Sequence, residues 1–431
     1  MKFGFYESDI TPPLGGIMPG YFSRERIAVT VHERLYSKAC VIQVEDATAV
    51  IISIDTCFVP DELLDPVTKR IKEYTGINPD CVTITSTHTH LGAPVENYSV
   101  KECWMDEPYF DVMTRLVADS AILAYQRLDE AEASFGSADV KGLCFCRNYI
   151  MKNGTYLTNS SDFDNIISTL EDKIDEELSA LFVEKDGKKI GAIISYPLHL
   201  DTVSPTVLGY SGDYAAIISE KLKEEYGHDF VSVFGIGTCG DVNDSDYTKK
   251  GAGNGCYCHR KVGTTLADAL KDIASEAVPV KGDLSQTKTT VEMTRRKLTH
   301  EQLKEALMQR FDVENHAMNI INIVYYHAMG LPEKTEVYVH VIALGDLAIY
   351  LLPGEMYSCY GLRIKAESPY KYNLVIENCN TQVGYIPSLK AFDAESRLYE
   401  ASPEISAAFT PDAGNIITDT ALNMAEVLRK K

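Results

Sequence analysis

Cys81-Val82-Thr83-Ile84-Thr85-Ser86-Thr87-His88-Thr89-His90 is an apolar, β-branched run that ends in two histidines one residue apart. β-Branched side chains fit a pleated, buried surface, so the run reads as a strand whose end carries the histidine pair. Residues i and i+2 of a strand share one face, and two imidazoles there can converge on one point. Imidazole is the commonest metal ligand in proteins. The same spacing also suits a hydrogen-bonded histidine pair at a sheet edge. With ten histidines in 431 residues, such a pair is not expected as filler.

Outward from this strand, strand-like and helix-like runs alternate, the pattern of an α/β domain. Ala39–Glu45 and Ala49–Ile54 read as a hairpin, Asp61–Tyr74 as a helix stopped by Gly76, and Tyr109–Leu128 as a long amphipathic helix. Leu178–Val183 and Ile190–Tyr196 flank Asp186-Gly187, a strong hairpin signal. Asp213–Tyr226 and Val262–Ala274 read as helices around a strand at Phe230–Phe234. Lys288–Thr294 reads as a strand, Glu301–Arg310 and Ala317–His327 as helices, and Glu336–Leu344 with Leu347–Leu352 as another hairpin. Met356–Ser368 and Asn415–Leu428 read as helices, with a short strand at Leu374–Ile376. No linker, low-complexity tract or fixed-period repeat divides the chain. The expected fold is α/β, with mixed β-sheets flanked by helices in a single large domain, 1–431, and with the site at strand ends, where α/β folds bind ligands.

A formal charge of −21, from 41 basic and 62 acidic residues, would repel phosphate backbones, so no nucleic-acid partner is expected. No apolar run approaches the roughly 18 residues of a membrane span, and residues 1–9 carry no secretory apolar region. Eleven scattered cysteines, an odd number, fit reduced thiols and a cytoplasmic setting. The cluster Cys256, Cys258 and His259 reads as a helix start with buried thiols, since no second cysteine pair completes a metal-finger spacing.

Other apolar runs also end in polar residues. His199 ends Ile194-Ser195-Tyr196-Pro197-Leu198-His199, where a satisfied core histidine is the ordinary reading. In Leu352-Pro353-Gly354-Glu355 a carboxylate sits at a helix start, where it could cap the helix or face a cleft. Tyr385 and Tyr399 stand in Val383-Gly384-Tyr385-Ile386-Pro387 and Tyr399-Glu400, by default core tyrosines. Cys239, beside Gly240-Asp241, has no base or electropositive motif near it in sequence and reads as a small packing residue.

Taken in order, these segments resemble the neutral/alkaline non-lysosomal ceramidase family over nearly the whole chain. The series runs through Asp9-Ile10-Thr11-Pro12-Pro13, Gly20-Tyr21, His32-Glu33-Arg34-Leu35-Tyr36-Ser37-Lys38-Ala39 and Ser53-Ile54-Asp55 to the histidine pair. It continues with Cys146-Arg147-Asn148, Asp175, His199, Ser211-Gly212-Asp213-Tyr214 and Gly237-Thr238-Cys239-Gly240-Asp241-Val242. Leu352-Pro353-Gly354-Glu355 and Gly384-Tyr385-Ile386-Pro387 complete it. The resemblance implies a zinc amidase acting by metal-activated water, with Zn²⁺ held by His88, His199, Glu355 and Tyr385. It implies His90, Arg147 and Tyr399 as catalytic neighbours: His90 and Tyr399 for oxyanion stabilisation or proton transfer, Arg147 for substrate positioning or charge stabilisation. Asp55 and Asp213 are candidates for carboxylates that orient the ligand imidazoles.

The chain departs from the family at Leu91-Gly92-Ala93-Pro94, where Ser-Gly-Pro follows the histidines, and at Asn243-Asp244, where Ser-Pro or Asn-Pro is common. It is expected to carry the catalytic domain without the C-terminal β-sandwich of secreted ceramidases. The expected substrate is a ceramide-like lipid amide or a smaller soluble N-acyl amine. A zinc hydrolase of peptide or ester bonds, and an inactive metal-binding protein that recognises a ligand, are the alternatives. Composition leaves the oligomeric state open.

Overall fold

The computed structural model describes the chain except for residues 21–25, 96–105, 250–257, 298–331, 395, 403–406 and 431. The helices expected at Glu301–Arg310 and Ala317–His327, and Tyr21 and Cys256, lie outside the described residues.

Three mixed sheets share one apolar centre. The first has the strand order Val82–Ser86, Ala47–Ile54, Tyr36–Val44, Lys2–Asp9, Asp129–Glu130. The second runs Val231–Ile236, Lys188–Tyr196, Glu177–Lys185, Glu132–Asp139, Val278–Val280. The third runs Leu284–Thr294, Lys334–Leu344, Leu347–Leu351, Tyr372–Ile376. Ile42 and Ile51 from the first, Leu181 and Ile193 from the second, and Ile342 and Ile349 from the third meet in one buried cluster. Their chain neighbours point the other way, under helices. Val41 and Ile52 pack beneath Leu64–Thr75 and Glu107–Gln126. Phe182 and Ile194 pack beneath Asp213–Tyr226 and His259–Glu276, and Val341 and Tyr350 beneath Ser358–Glu367 and Ala413–Arg429. Strands buried on both faces read as continuous apolar runs, without the alternation of half-solvated sheets. Runs such as Val50-Ile51-Ile52 and Ile193-Ile194 were legible for that reason. Lys2–Asp9 and Glu132–Asp139 form strands that carry no such run, because polar and glycine positions interrupt them.

Each sheet contains the same local unit: an antiparallel hairpin, a crossover helix, and a third strand parallel to the second. The unit recurs in structure although the sequence has no fixed-period repeat. The crossover helices are Leu64–Thr75, Asp213–Tyr226 and Ser358–Glu367. Gly76 closes the first of them at φ 77°, a left-handed cap that costs glycine no Cβ clash. At their carboxyl ends the three sheets are stitched pairwise. The Ser53 hydroxyl donates to the Phe234 carbonyl, Ser195 Oγ to the Val375 carbonyl (2.6 Å), and Thr85 Oγ1 to the Glu377 carbonyl (2.9 Å). Polar groups buried among apolar strands need such partners, and these bonds fix the loop origins that build the site.

Candidate functional site

The segments after the sheets' carboxyl ends meet in one buried place. His88 and His90 follow Val82–Ser86, His199 follows Lys188–Tyr196, and Glu355 follows Leu347–Leu351. Tyr385 follows Tyr372–Ile376, in a two-residue strand, Tyr385–Ile386, that pairs in parallel with Glu355–Met356. This corrects one reading: Glu355 is not at a helix start, because the helix begins at Ser358, with Tyr357 at its N-cap position. It corrects another as well. The strand ends at Ser86, so the histidines are aimed by the loop beyond it, where His88 takes φ 67°, and not by strand alternation. A non-glycine residue in the left-handed region is a strain signal found at functional sites. Here Thr56 O accepts from His88 N and Leu200 O from His90 N, each at 3.0 Å, and hold the loop.

Glu355 Oε2 lies 3.3 Å from Nε2 of His88 and 3.3 Å from Nε2 of His199. These ligand atoms lie within 4.8 Å of one another, and all three residues are buried. Tyr385 Oη is 3.4 Å from His199 Nε2, and His90 Nε2 is 3.5 Å from His88 Nε2. Tyr399 Oη stands 3.5 Å from Tyr385 Oη. The Arg147 guanidinium lies 5.3 Å from the Tyr385 ring centre and 5.4 Å from that of Tyr399. Its Nε pairs with Glu400 Oε1 at 2.8 Å, and its Nη2 donates to the Gly240 carbonyl at 2.7 Å. The sequence-named positions His88, His90, His199, Glu355, Tyr385, Arg147 and Tyr399 are thus gathered in one cluster.

Burial drives His199 down to about 3, with the Arg147 charge next in importance. Burial also holds His90 well below its ordinary value, reinforced by the neighbouring imidazoles. Burial opposes ionisation of Glu355, but His88 and His199 together outweigh it and hold the carboxyl well below its usual range. The result is a dry carboxylate wedged between two ring nitrogens, beside a histidine kept neutral. A buried charge requires a paired charge or a metal, and two imidazoles with a carboxylate are a donor set for a divalent cation. Among the described residues one other group has metal-ligand spacing, Cys57, His88 and His90, and it shares His88. His88 Nδ1, however, lies 2.7 Å from the Cys57 carbonyl, an acceptor that orients Nε2 toward Glu355.

The two carboxylates expected to orient imidazoles are engaged elsewhere. Asp55 Oδ2 accepts from Tyr36 N at 2.8 Å. Asp213 accepts from Tyr214 N at 2.6 Å, Val203 N at 3.1 Å and the Thr202 hydroxyl, and burial raises it to about 6. Both brace loops; the orienting contact of His88 is a main-chain carbonyl. That of His199 is a side chain read from sequence as packing: Cys239 Sγ lies 3.3 Å from His199 Nδ1. Glu377 carried no motif and was missed, yet its carboxyl contacts Cys239. Its only signal is a glutamate closing the apolar strand Leu374-Val375-Ile376, without the Pro-Gly turn that marks Glu355. Cys258 occupies the N-cap position of the helix His259–Glu276, which matches the expected helix start, but its thiol is half-buried and makes no cap bond, and His259 Nε2 faces Glu33 Oε1 at 3.4 Å.

An α/β protein with a buried His-His-Glu donor set where three sheets end is the class that fold and site define. The chain belongs to the neutral/alkaline non-lysosomal ceramidase family, whose N-terminal part it matches over residues 1–331. A neutral ceramidase from Oryza sativa subsp. japonica is 26% identical over 236 residues, 52% of this chain and 29% of the rice protein. The neutral ceramidase of Pseudomonas aeruginosa has the same fold, with a TM-score of 0.78 at 20% identity, covering all of this chain and 74% of that one. A ceramidase complexed with C2 superposes with a TM-score of 0.77 at 19% identity, covering all of this chain and 75% of its own.

Proposed function

We propose that this chain is a zinc-dependent amidohydrolase that cleaves an N-acyl amide, either a ceramide-like lipid or a smaller N-acyl amine, and that residues 1–431 work as one catalytic unit. The observation that carries the reading is the shared Glu355 oxygen, 3.3 Å from both His88 Nε2 and His199 Nε2. In it His88, His199 and Glu355 would hold the metal, with Tyr385 as the fourth ligand. When bound, zinc supplies a water activated for attack at neutral pH and polarises the scissile carbonyl. His90, held neutral, accepts a proton from the attacking water and returns it to the leaving nitrogen. Burial pushes the Tyr399 phenol up, so it stays protonated and donates a hydrogen bond to the developing oxyanion. The Arg147 guanidinium keeps its positive charge through the buried ion pair with Glu400 Oε1 at 2.8 Å, and that charge positions the acyl carbonyl.

No helix among the described residues is long and apolar enough to cross a membrane, and the nine described cysteines are free thiols. Free thiols support a reducing, cytoplasmic setting as part of this proposal. The test is mass-spectrometric release of free amine from a short-chain ceramide and from soluble N-acyl amines, by zinc-loaded protein and a chelated control. Chelator-sensitive release from either supports the reading. Protein that binds zinc stoichiometrically yet releases amine from neither class overturns it.

A further inference from the structure

We propose that Cys239, backed by Glu377, is the positioning group of His199, an inference that rests on the metal-site reading above. A ligand imidazole needs its second ring nitrogen fixed by an acceptor, or the ring swivels. For His88 that acceptor is a carbonyl. For His199 it is a thiol: with Nε2 turned toward Glu355, Nδ1 carries the proton and donates to Cys239 Sγ at 3.3 Å. Sulfur is a weak acceptor, so the thiol must itself be held. Glu377 Oε1 accepts from Cys239 N at 3.3 Å and from Cys239 Sγ at 3.4 Å. His199, Cys239 and Glu377 are all fully buried.

Glu377 also reaches the other donors. Its Oε2 accepts from Met356 N at 2.6 Å, one residue beyond Glu355. Its carbonyl accepts from Thr85 Oγ1 at 2.9 Å, at the end of the strand that leads to His88, and its own N–H donates to the Ile236 carbonyl at 2.8 Å. One residue therefore ties together the segments that bring in His88 and Glu355 and the thiol behind His199. Cys239 and Glu377 position ligands and do not contact the reacting atoms.

The experiment uses the full chain as apo-protein, with Zn²⁺ affinity measured by competition against a chromophoric chelator, the visible spectrum of the Co²⁺ form, and apo-protein melting. Cys239→Ala removes the acceptor and is expected to weaken Zn²⁺ binding by about 10–100-fold, to alter the Co²⁺ bands, and to leave apo melting near wild type. Cys239→Ser, which keeps an acceptor, is expected to recover most of the affinity. Glu377→Gln is expected to weaken binding in the same direction. Wild-type affinity and an unchanged Co²⁺ spectrum in Cys239→Ala would overturn the proposal. So would a loss that follows apo melting and is not rescued by serine, which would mark simple packing. If wild type itself binds neither metal, the metal-site reading fails, and this inference falls with it.

Discussion

The imidazoles of His88 and His199 stand 4.9 Å apart, ring centre to ring centre, inclined at 76°, and both direct Nε2 at the same Glu355 oxygen. They come from different sheets, so the arrangement depends on how the sheets are joined, and the donor set can be tested one residue at a time. Glu355→Gln, His88→Ala and His199→Ala are each expected to abolish stoichiometric zinc after dialysis, measured by inductively coupled plasma mass spectrometry, while wild type retains about one ion per chain. Full zinc occupancy in any of the three would remove that residue from the ligand set.

Catalytic neighbours should separate from ligands. His90→Gln and Tyr399→Phe are expected to keep bound zinc but to lower kcat by about 10²–10⁴-fold, the range for a lost proton-transfer or oxyanion group. Zinc content and steady-state kinetics on one preparation check this. Loss of metal in His90→Gln would make His90 a ligand and displace the assignment.

The Arg147–Glu400 pair is almost wholly buried, with side-chain exposures of 3% and 0%. Asn148 Nδ2 (3.2 Å) and Thr158 Oγ1 (2.5 Å) also donate to the Glu400 carboxylate. Removing one member strands a buried charge, which costs about 3–5 kcal/mol. Glu400→Leu is expected to lose that much by urea denaturation, and Arg147→Leu/Glu400→Leu to regain part of it while remaining inactive. A double variant no more stable than Glu400→Leu would contradict the ion-pair account.

Gly240 is required by close approach. A Cβ there would meet the Glu355 carbonyl oxygen at 2.6 Å, against main chain that cannot swing aside. Gly240→Ala is expected to push back the Glu355 segment and reduce zinc occupancy, read by titration calorimetry. Unchanged zinc affinity would show that the loop can yield.

His340 sets a pH dependence away from the site. Its Nδ1 pairs with Thr83 Oγ1 at 2.7 Å and its Nε2 with Gln286 Oε1 at 3.0 Å. Burial, with the nearby Lys288 charge, drives it down to about 3. The unfolded chain, with a pKa near 6.5, then binds a proton that the folded state refuses. The stability from neutral His340 is therefore whole above about pH 6.5 and is lost as pH falls toward 3. Denaturation of chelated protein at pH 7 and pH 5 should lose about 2 kcal/mol less in His340→Gln than in wild type. Equal losses would mean that His340 is protonated in the fold.

The apolar runs Val50-Ile51-Ile52, Ile193-Ile194 and Ile342–Leu344, and turns such as Asp186-Gly187, are local signals. They suffice for the hairpins and the mixed-sheet class, because doubly buried strands and glycine turns are imposed by their own residues. His88, His90, His199 and Glu355 also stand out locally, as polar residues after apolar runs, whereas Arg147, Tyr385 and Tyr399 are named only through the resemblance to the family. What each side chain touches was decided only by tertiary structure. Asp55 and Asp213 looked like partners for imidazoles but brace loops. Cys239 looked inert but lies against His199, and Glu377 bore no motif yet joins segments from all three sheets. Hydrogen-bond partners depend on angles and distances of a few ångströms between chain segments far apart in sequence. The packing of three sheets on one core fixes those geometries, and residue order alone does not.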